Sequence, residues 1–101
     1  VIASGQTESN AFLASRDFRD ADSITIWGPD TLPESVTVHV ADNEAPAASD
    51  YAALSRGGAD VTIPANKAIT VELPSFRAMK LVAGAAVGAE RRFKVNKGFF
   101  A

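Results

Sequence analysis

The sequence predicts an all-β domain, a single β-sandwich of about seven or eight short, mainly antiparallel strands. Three observations carry that prediction. Apolar and polar residues alternate with a period of two in short runs bounded by Gly, Pro, Asn and Asp. β-Branched residues fill most of the apolar positions, where they suit a pleated surface and serve a helix poorly. No long stretch sets its apolar residues three and four apart, as an amphipathic helix requires.

The elements follow in order. Residues 10–13 form one short strand, and residues 16–22 a charged loop. Ser23-Ile24-Thr25-Ile26-Trp27 alternates cleanly and stops at Gly28-Pro29-Asp30, because Pro donates nothing to a ladder and Gly tolerates unusual dihedrals. Ser35-Val36-Thr37-Val38-His39-Val40 alternates again, and residues 42–50 make the longest loop. Gly57-Gly58-Ala59-Asp60 reads as a turn before a strand over Asp60-Val61-Thr62-Ile63. Pro64-Ala65-Asn66-Lys67 then joins it, as a short hairpin-like connection, to Ala68-Ile69-Thr70-Val71-Glu72-Leu73, which Pro74-Ser75 stops. Residues 76–82 fit a strand or one and a half helical turns. Residues 82–89 are helical by their alanines and loop-like by Gly84 and Gly88. Residues 91–100 alternate once more as a terminal strand, with Phe93 and Val95 on one face and Arg92 and Lys94 on the other.

A chain of 101 residues, 47% hydrophobic and 22% charged, suits one globular domain over residues 1–101. With no cysteine there is no disulfide, thiolate metal site or cysteine nucleophile. No apolar run approaches the roughly 20 residues that span a bilayer, so no membrane partner is expected. The first residues carry neither the basic nor the apolar segment of a signal peptide, and Val1 is expected to follow a removed initiator methionine. The net charge of −2 hides a division: residues 1–50 hold two basic and nine acidic side chains, residues 51–101 eight and three. Acidic and basic strands lying side by side would neutralise each other. Alternatively, the molecule presents an acidic and a basic face to partners of opposite sign, copies of itself included.

The search for chemistry returns no catalytic, metal or cofactor site. His39 is the sole histidine and sits between Val38 and Val40, so it points away from the valines and has no second His or Cys to share a metal. No serine lies in a Gly-x-Ser-x-Gly elbow. Asp17, Asp20 and Asp22, and Asp42, Glu44 and Asp50, cluster without the spacing of a calcium loop and read as solvated loops. Arg91-Arg92-Phe93-Lys94-Val95-Asn96-Lys97 has the basic and aromatic mix of a nucleic-acid site, but its alternation reads as a half-buried strand with a basic outer face, and no nucleic-acid partner is expected. Trp27, Tyr51, Phe99 and Phe100 are the candidate partner contacts. Trp27 is expected to pack at a sheet edge, and the two terminal phenylalanines to dock on another subunit.

Several segments together carry a resemblance: residues 2–9, Ile24-Thr25-Ile26-Trp27-Gly28-Pro29, Val36-Thr37-Val38, Asp50-Tyr51-Ala52-Ala53-Leu54, Gly57-Gly58-Ala59-Asp60-Val61-Thr62-Ile63-Pro64 and Phe76-Arg77-Ala78-Met79-Lys80-Leu81-Val82. The series resembles small β-sandwich structural proteins of tailed-bacteriophage virions, such as capsid cement or decoration proteins, and is similar in order to jelly-roll modules of the galactose-binding-like type. The resemblance implies a jelly-roll-like sandwich in a virion assembled in the host cytoplasm. Its partners would be the major capsid protein, other virion proteins and copies of itself, and it would have no enzymatic turnover. Two alternatives stand beside the cement reading. One is a head–tail connector, tail or fibre-attachment protein; the other is a carbohydrate-binding module stacking sugars on Trp27 or Tyr51.

Overall fold

The computed structural model describes residues 1–18, 21–56, 58–72 and 76–98. Phe99, Phe100 and the strand stop at Pro74 and Ser75 lie outside the described residues. In chain order the strands are β1 (Phe12–Leu13), β2 (Ser23–Trp27), β3 (Val36–Ala41), β4 (Ala52–Ala53), β5 (Ser55–Arg56), β6 (Ala59–Asp60), β7 (Ala68–Glu72), β8 (Ala78–Ala83) and β9 (Lys94–Gly98). Single helical turns at Ala14–Asp17 and Ala48–Asp50 interrupt them. The fold is all-β, as expected. One antiparallel sheet has the order β1-β8-β3-β4, the other β7-β2-β9, and β5 pairs with β6 as a separate hairpin. Except for β3 to β4, the connections between strands of the two sheets cross from one sheet to the other.

Register explains the core. Val36, Val38 and Val40 of β3 lie opposite Ala83, Leu81 and Met79 of β8, and these rows face inward. Ile24 and Ile26 of β2, with Val71, Ile69 and Val95 beside them, supply the facing layer. Ile2, Ile24, Ile26, Val36, Val38, Val71, Met79, Leu81 and Val87 are fully buried. Each such side chain contributes about 1.5–3 kcal/mol relative to leaving it in water. The Cα radius of gyration, 12.9 Å, matches the ~13 Å expected for a packed chain of this length.

Residues 2–9 run antiparallel along β8 and the segment after it. Ile2 and Arg91 exchange two backbone hydrogen bonds of 2.9 Å, Gly5 N–H donates to Val87, Val87 N–H to Gln6, Ala83 N–H to Thr7 and Ser9 N–H to Leu81. A turn closed from Gln6 N–H to the Ala3 carbonyl, with Gly5 at φ +82°, lets the segment bend. Of residues 82–89, left open between helix and loop by the sequence, Val82 and Ala83 end β8, and residues 84–90 are a loop held by the N-terminal segment, with Val87 as its buried anchor.

Glu8 lies opposite Val82 but Phe12 opposite Met79, so one residue is extra and the strand bulges between them. Ser9 fills the gap: its Oγ accepts the Leu81 N–H at 2.9 Å and donates to the Asn10 carbonyl at 2.9 Å.

Two expectations need correction. Asp60-Val61-Thr62-Ile63 is not one continuous strand. Asp60 belongs to a hairpin with β5, and Thr62 makes a single bridge to Thr37 on β3. The chain pairs with β3 through Leu54, leaves it for the β5–β6 hairpin, and returns where Val61 N–H bonds the Leu54 carbonyl at 2.7 Å. Nor does residues 64–67 close a hairpin: the segment crosses from the first sheet to the second. It is positioned by the Gly28–Pro29 turn, which receives Asn66 N–H on the Pro29 carbonyl and gives Gly28 N–H to Lys67. A Cβ on Gly28 would fall onto the Pro64 carbonyl oxygen, so only glycine permits this approach.

Glu34, in the β2–β3 connection, grips Arg91 through two hydrogen bonds of 2.9 and 3.2 Å, with both side chains nearly covered. The guanidinium holds the Glu34 carboxyl below its ordinary value of 4.5. Asp17 is lowered too, first by Arg16 and also by the Leu13 N–H it accepts.

Two outcomes follow. Ser9→Ala leaves the Leu81 N–H unsatisfied and is expected to cost about 1–3 kcal/mol in denaturant unfolding, with an unchanged m-value. Because Glu34 titrates lower in the folded than in the unfolded chain, its contribution is full above the ordinary glutamate range and is lost as pH falls through the lowered value. Glu34→Gln should therefore flatten that part of the stability–pH curve, and leave the slope at neutral pH unchanged, in unfolding curves taken at stepped pH.

Candidate interaction surface

The alternation that buries Ile24 and Ile26 turns Thr25 and Trp27 to the outer face of the second sheet. Trp27 is 46% exposed, the most exposed large apolar side chain among the described residues. It does not lie at a sheet edge as expected. β9 pairs along one side of β2 and β7 along the other, so Trp27 stands on the central strand. Ala68 and Lys94 are its cross-strand neighbours, and the next row is Thr70, Thr25 and Asn96, with the two threonine Oγ atoms 3.1 Å apart. Sequence spacing alone pairs Thr25 with Trp27. Lys94, Asn96, Ala68 and Thr70 join them only through strand register, which no local signal encodes.

Tyr51 is on the opposite side of the molecule. Its ring lies under Lys80 Nζ, 4.3 Å from the centroid, and Lys80 also pairs with Glu8 at 2.6 Å. This outer row of the first sheet continues through His39, whose Nε2 lies 3.2 Å from Thr37 Oγ. The structure thus separates Trp27 from Tyr51, and Phe99 and Phe100 fall outside the described residues.

The divided charge is partly neutralised inside the molecule, since Glu8–Lys80 and Glu34–Arg91 each join an acid from the first half to a base from the second. Lys67, Lys94 and Lys97 make no ion pair among the described residues, and neither do Asp42 and Glu44. The loop bearing those acids is ordered by polar contacts: Asp50 accepts Ala47 N–H at 2.8 Å, and Asn43 Oδ1 accepts Ala45 N–H at 3.1 Å.

Two open clefts are lined by described residues. The larger, about 720 Å³, lies where β1 faces β9 and is lined by Phe12, Asp17, Phe18, Val95, Asn96 and Lys97. Phe12 and Phe18 stack there, 5.7 Å between centroids, and Asp17 is committed to Arg16 and the Leu13 N–H. The smaller, about 280 Å³, has Val40, Ala41, Ala52 and Phe76 as its apolar lining and Asp42 and Asp50 as its acidic one. Among the described residues no group of three or more His, Cys, Asp or Glu could hold a metal ion, and no helix is long and apolar enough to cross a membrane. What this arrangement offers chemically is contact: an exposed indole on the outer face of a central strand, lysines beside it that make no ion pair among the described residues, and an acidic loop elsewhere. Comparison with protein-family models, with curated proteins and with solved structures returns no match for this chain.

Proposed function

We propose that this chain is a structural subunit of a bacteriophage virion, in its most specific form a capsid cement or decoration protein that binds and stabilises the shell. The observation that carries the reading is Trp27, set on the outer face of a central strand with nothing of its own chain over nearly half its surface. Large exposed aromatics flanked by polar groups are the usual anchors of protein contacts. The polar groups elsewhere suit binding, not turnover: His39, on the other sheet, has a threonine hydroxyl as its partner, and Asp17 in the larger cleft and Glu34 in the clamp with Arg91 are already committed. The partners are the major capsid protein, other virion proteins and copies of itself, and the protein resides in the particle assembled in the host cytoplasm. A head–tail connector, tail or fibre-attachment role uses the same surfaces at lower copy number.

The test is occupancy of particles. Purified chain should co-sediment with capsids lacking it, at high copy number, and should raise the temperature at which they rupture. Trp27→Ala should weaken that binding about 30-fold, the equivalent of about 2 kcal/mol. A few copies per particle would move the assignment to the connector or fibre reading. Binding on a glycan array that Trp27→Ala abolishes would replace the proposal with a sugar-stacking module.

A further inference from the structure

Trp27 lies at one end of the sandwich and the smaller cleft at the other. Gly28 abuts Ile63 and Pro64, and Ile63 N–H bonds the Val36 carbonyl, so the Trp27 end of β2 lies beside the start of β3. The cleft opens at the far end of β3, where Ala41 pairs with Ala78 and its carbonyl accepts Arg77 N–H. The two ends carry opposite charge. Around Trp27 stand Lys94, its cross-strand neighbour, and Lys67, which precedes its other neighbour Ala68; exposed Asp30 is the opposing charge there. Asp42 and Asp50 line the cleft and Glu44 belongs to the same loop, with exposed Arg77 opposing them. The balance is +1 against −2.

The cleft's volume, about 280 Å³, falls just below the roughly 300–1,000 Å³ of pockets that hold small-molecule ligands, and suits one large side chain. Its lining of Val40, Ala41, Ala52 and Phe76 offers an indole an apolar bed, and Asp42 and Asp50 offer its flanking lysines two carboxylates. An exposed Trp between lysines and an apolar cleft among acids, on opposite ends of one molecule, are complementary to each other.

We infer that the occupant of this cleft is Trp27 of a second copy of this chain, giving a head-to-tail contact. Such a contact is heterologous: each copy uses one end as donor and the other as acceptor, so it closes into a ring or extends as a row. The inference rests on the assembly reading insofar as it names the partner of Trp27. It is tested without any particle, so the two can fail separately.

Two variants each retain half of the contact. Trp27→Ala keeps the cleft and lacks the donor; Ala52→Arg, at an exposed position in β4, keeps the donor and fills the cleft with a cation. In sedimentation velocity across a dilution series, the unaltered chain should self-associate, more strongly at low salt. Either variant alone should stay monomeric, with a circular dichroism spectrum like that of the unaltered chain. Mixed, they should form a one-to-one heterodimer and nothing larger. As a second arm, Lys94→Glu and Asp42→Lys should each weaken self-association about tenfold, and mixing them should restore pairing. An unaltered chain that remains monomeric throughout overturns the inference, whether or not it binds capsids. Undiminished self-association by Ala52→Arg, or failure of the charge-reversed pair to complement, overturns it equally, because Trp27 would then be packing somewhere else.

Discussion

The register of β2 is the constraint on which the other features depend. This strand is paired on both sides, with β7 and with β9, over all five of its residues. A strand whose two neighbours agree cannot slip by one residue without exchanging its faces: Ile24 and Ile26 would move to solvent, and Thr25 and Trp27 into the core. Losing the burial of two isoleucines costs about 3–6 kcal/mol, a large part of the stability of a small domain. The exposure of Trp27 is therefore imposed by what its neighbours bury, and the strand cannot hide the indole without giving up the core.

The remainder of the architecture supports that arrangement. The first sheet, centred on β3 and β8, supplies the opposing apolar layer, and residues 2–9 bind along its β8 side and over the loop at 84–90. Glu34 and Arg91 tie the β2–β3 connection to the segment leading into β9 through one ion pair. These internal pairs absorb part of the division of charge between the halves of the chain. The lysines beside Trp27, and Asp42 and Glu44 in the loop after β3, make no ion pair among the described residues.

The period-two runs at Ser23–Trp27, Val36–Ala41 and Ala68–Glu72 were legible from the sequence because each has at least two β-branched residues facing one core. The terminal strand was legible through Phe93 and Val95. The pairing of residues 2–9 was not, because its partners lie more than seventy positions away and its sole fully buried anchor is Ile2. Gly58 lies in a turn, but Ala59 and Asp60, expected to belong to it, pair with β5 as β6, Gly57 lies outside the described residues, and only β3 reveals that this hairpin interrupts an edge pairing. Trp27 stood out in the sequence as the sole tryptophan, yet its place on a central strand depended on β9 reaching β2 across the whole chain. The smaller cleft escaped notice altogether, since Val40, Asp50 and Phe76 meet only in the folded state.

The central claim is that register forces Trp27 outward in the isolated chain. Since Trp27 is the sole tryptophan, its emission reports this directly. At dilution low enough to keep copies apart, the native protein should show red-shifted fluorescence that acrylamide readily quenches, approaching that of the unfolded chain. A blue-shifted emission that acrylamide cannot reach, in a dilute monomer, would place the indole in the core and contradict the account.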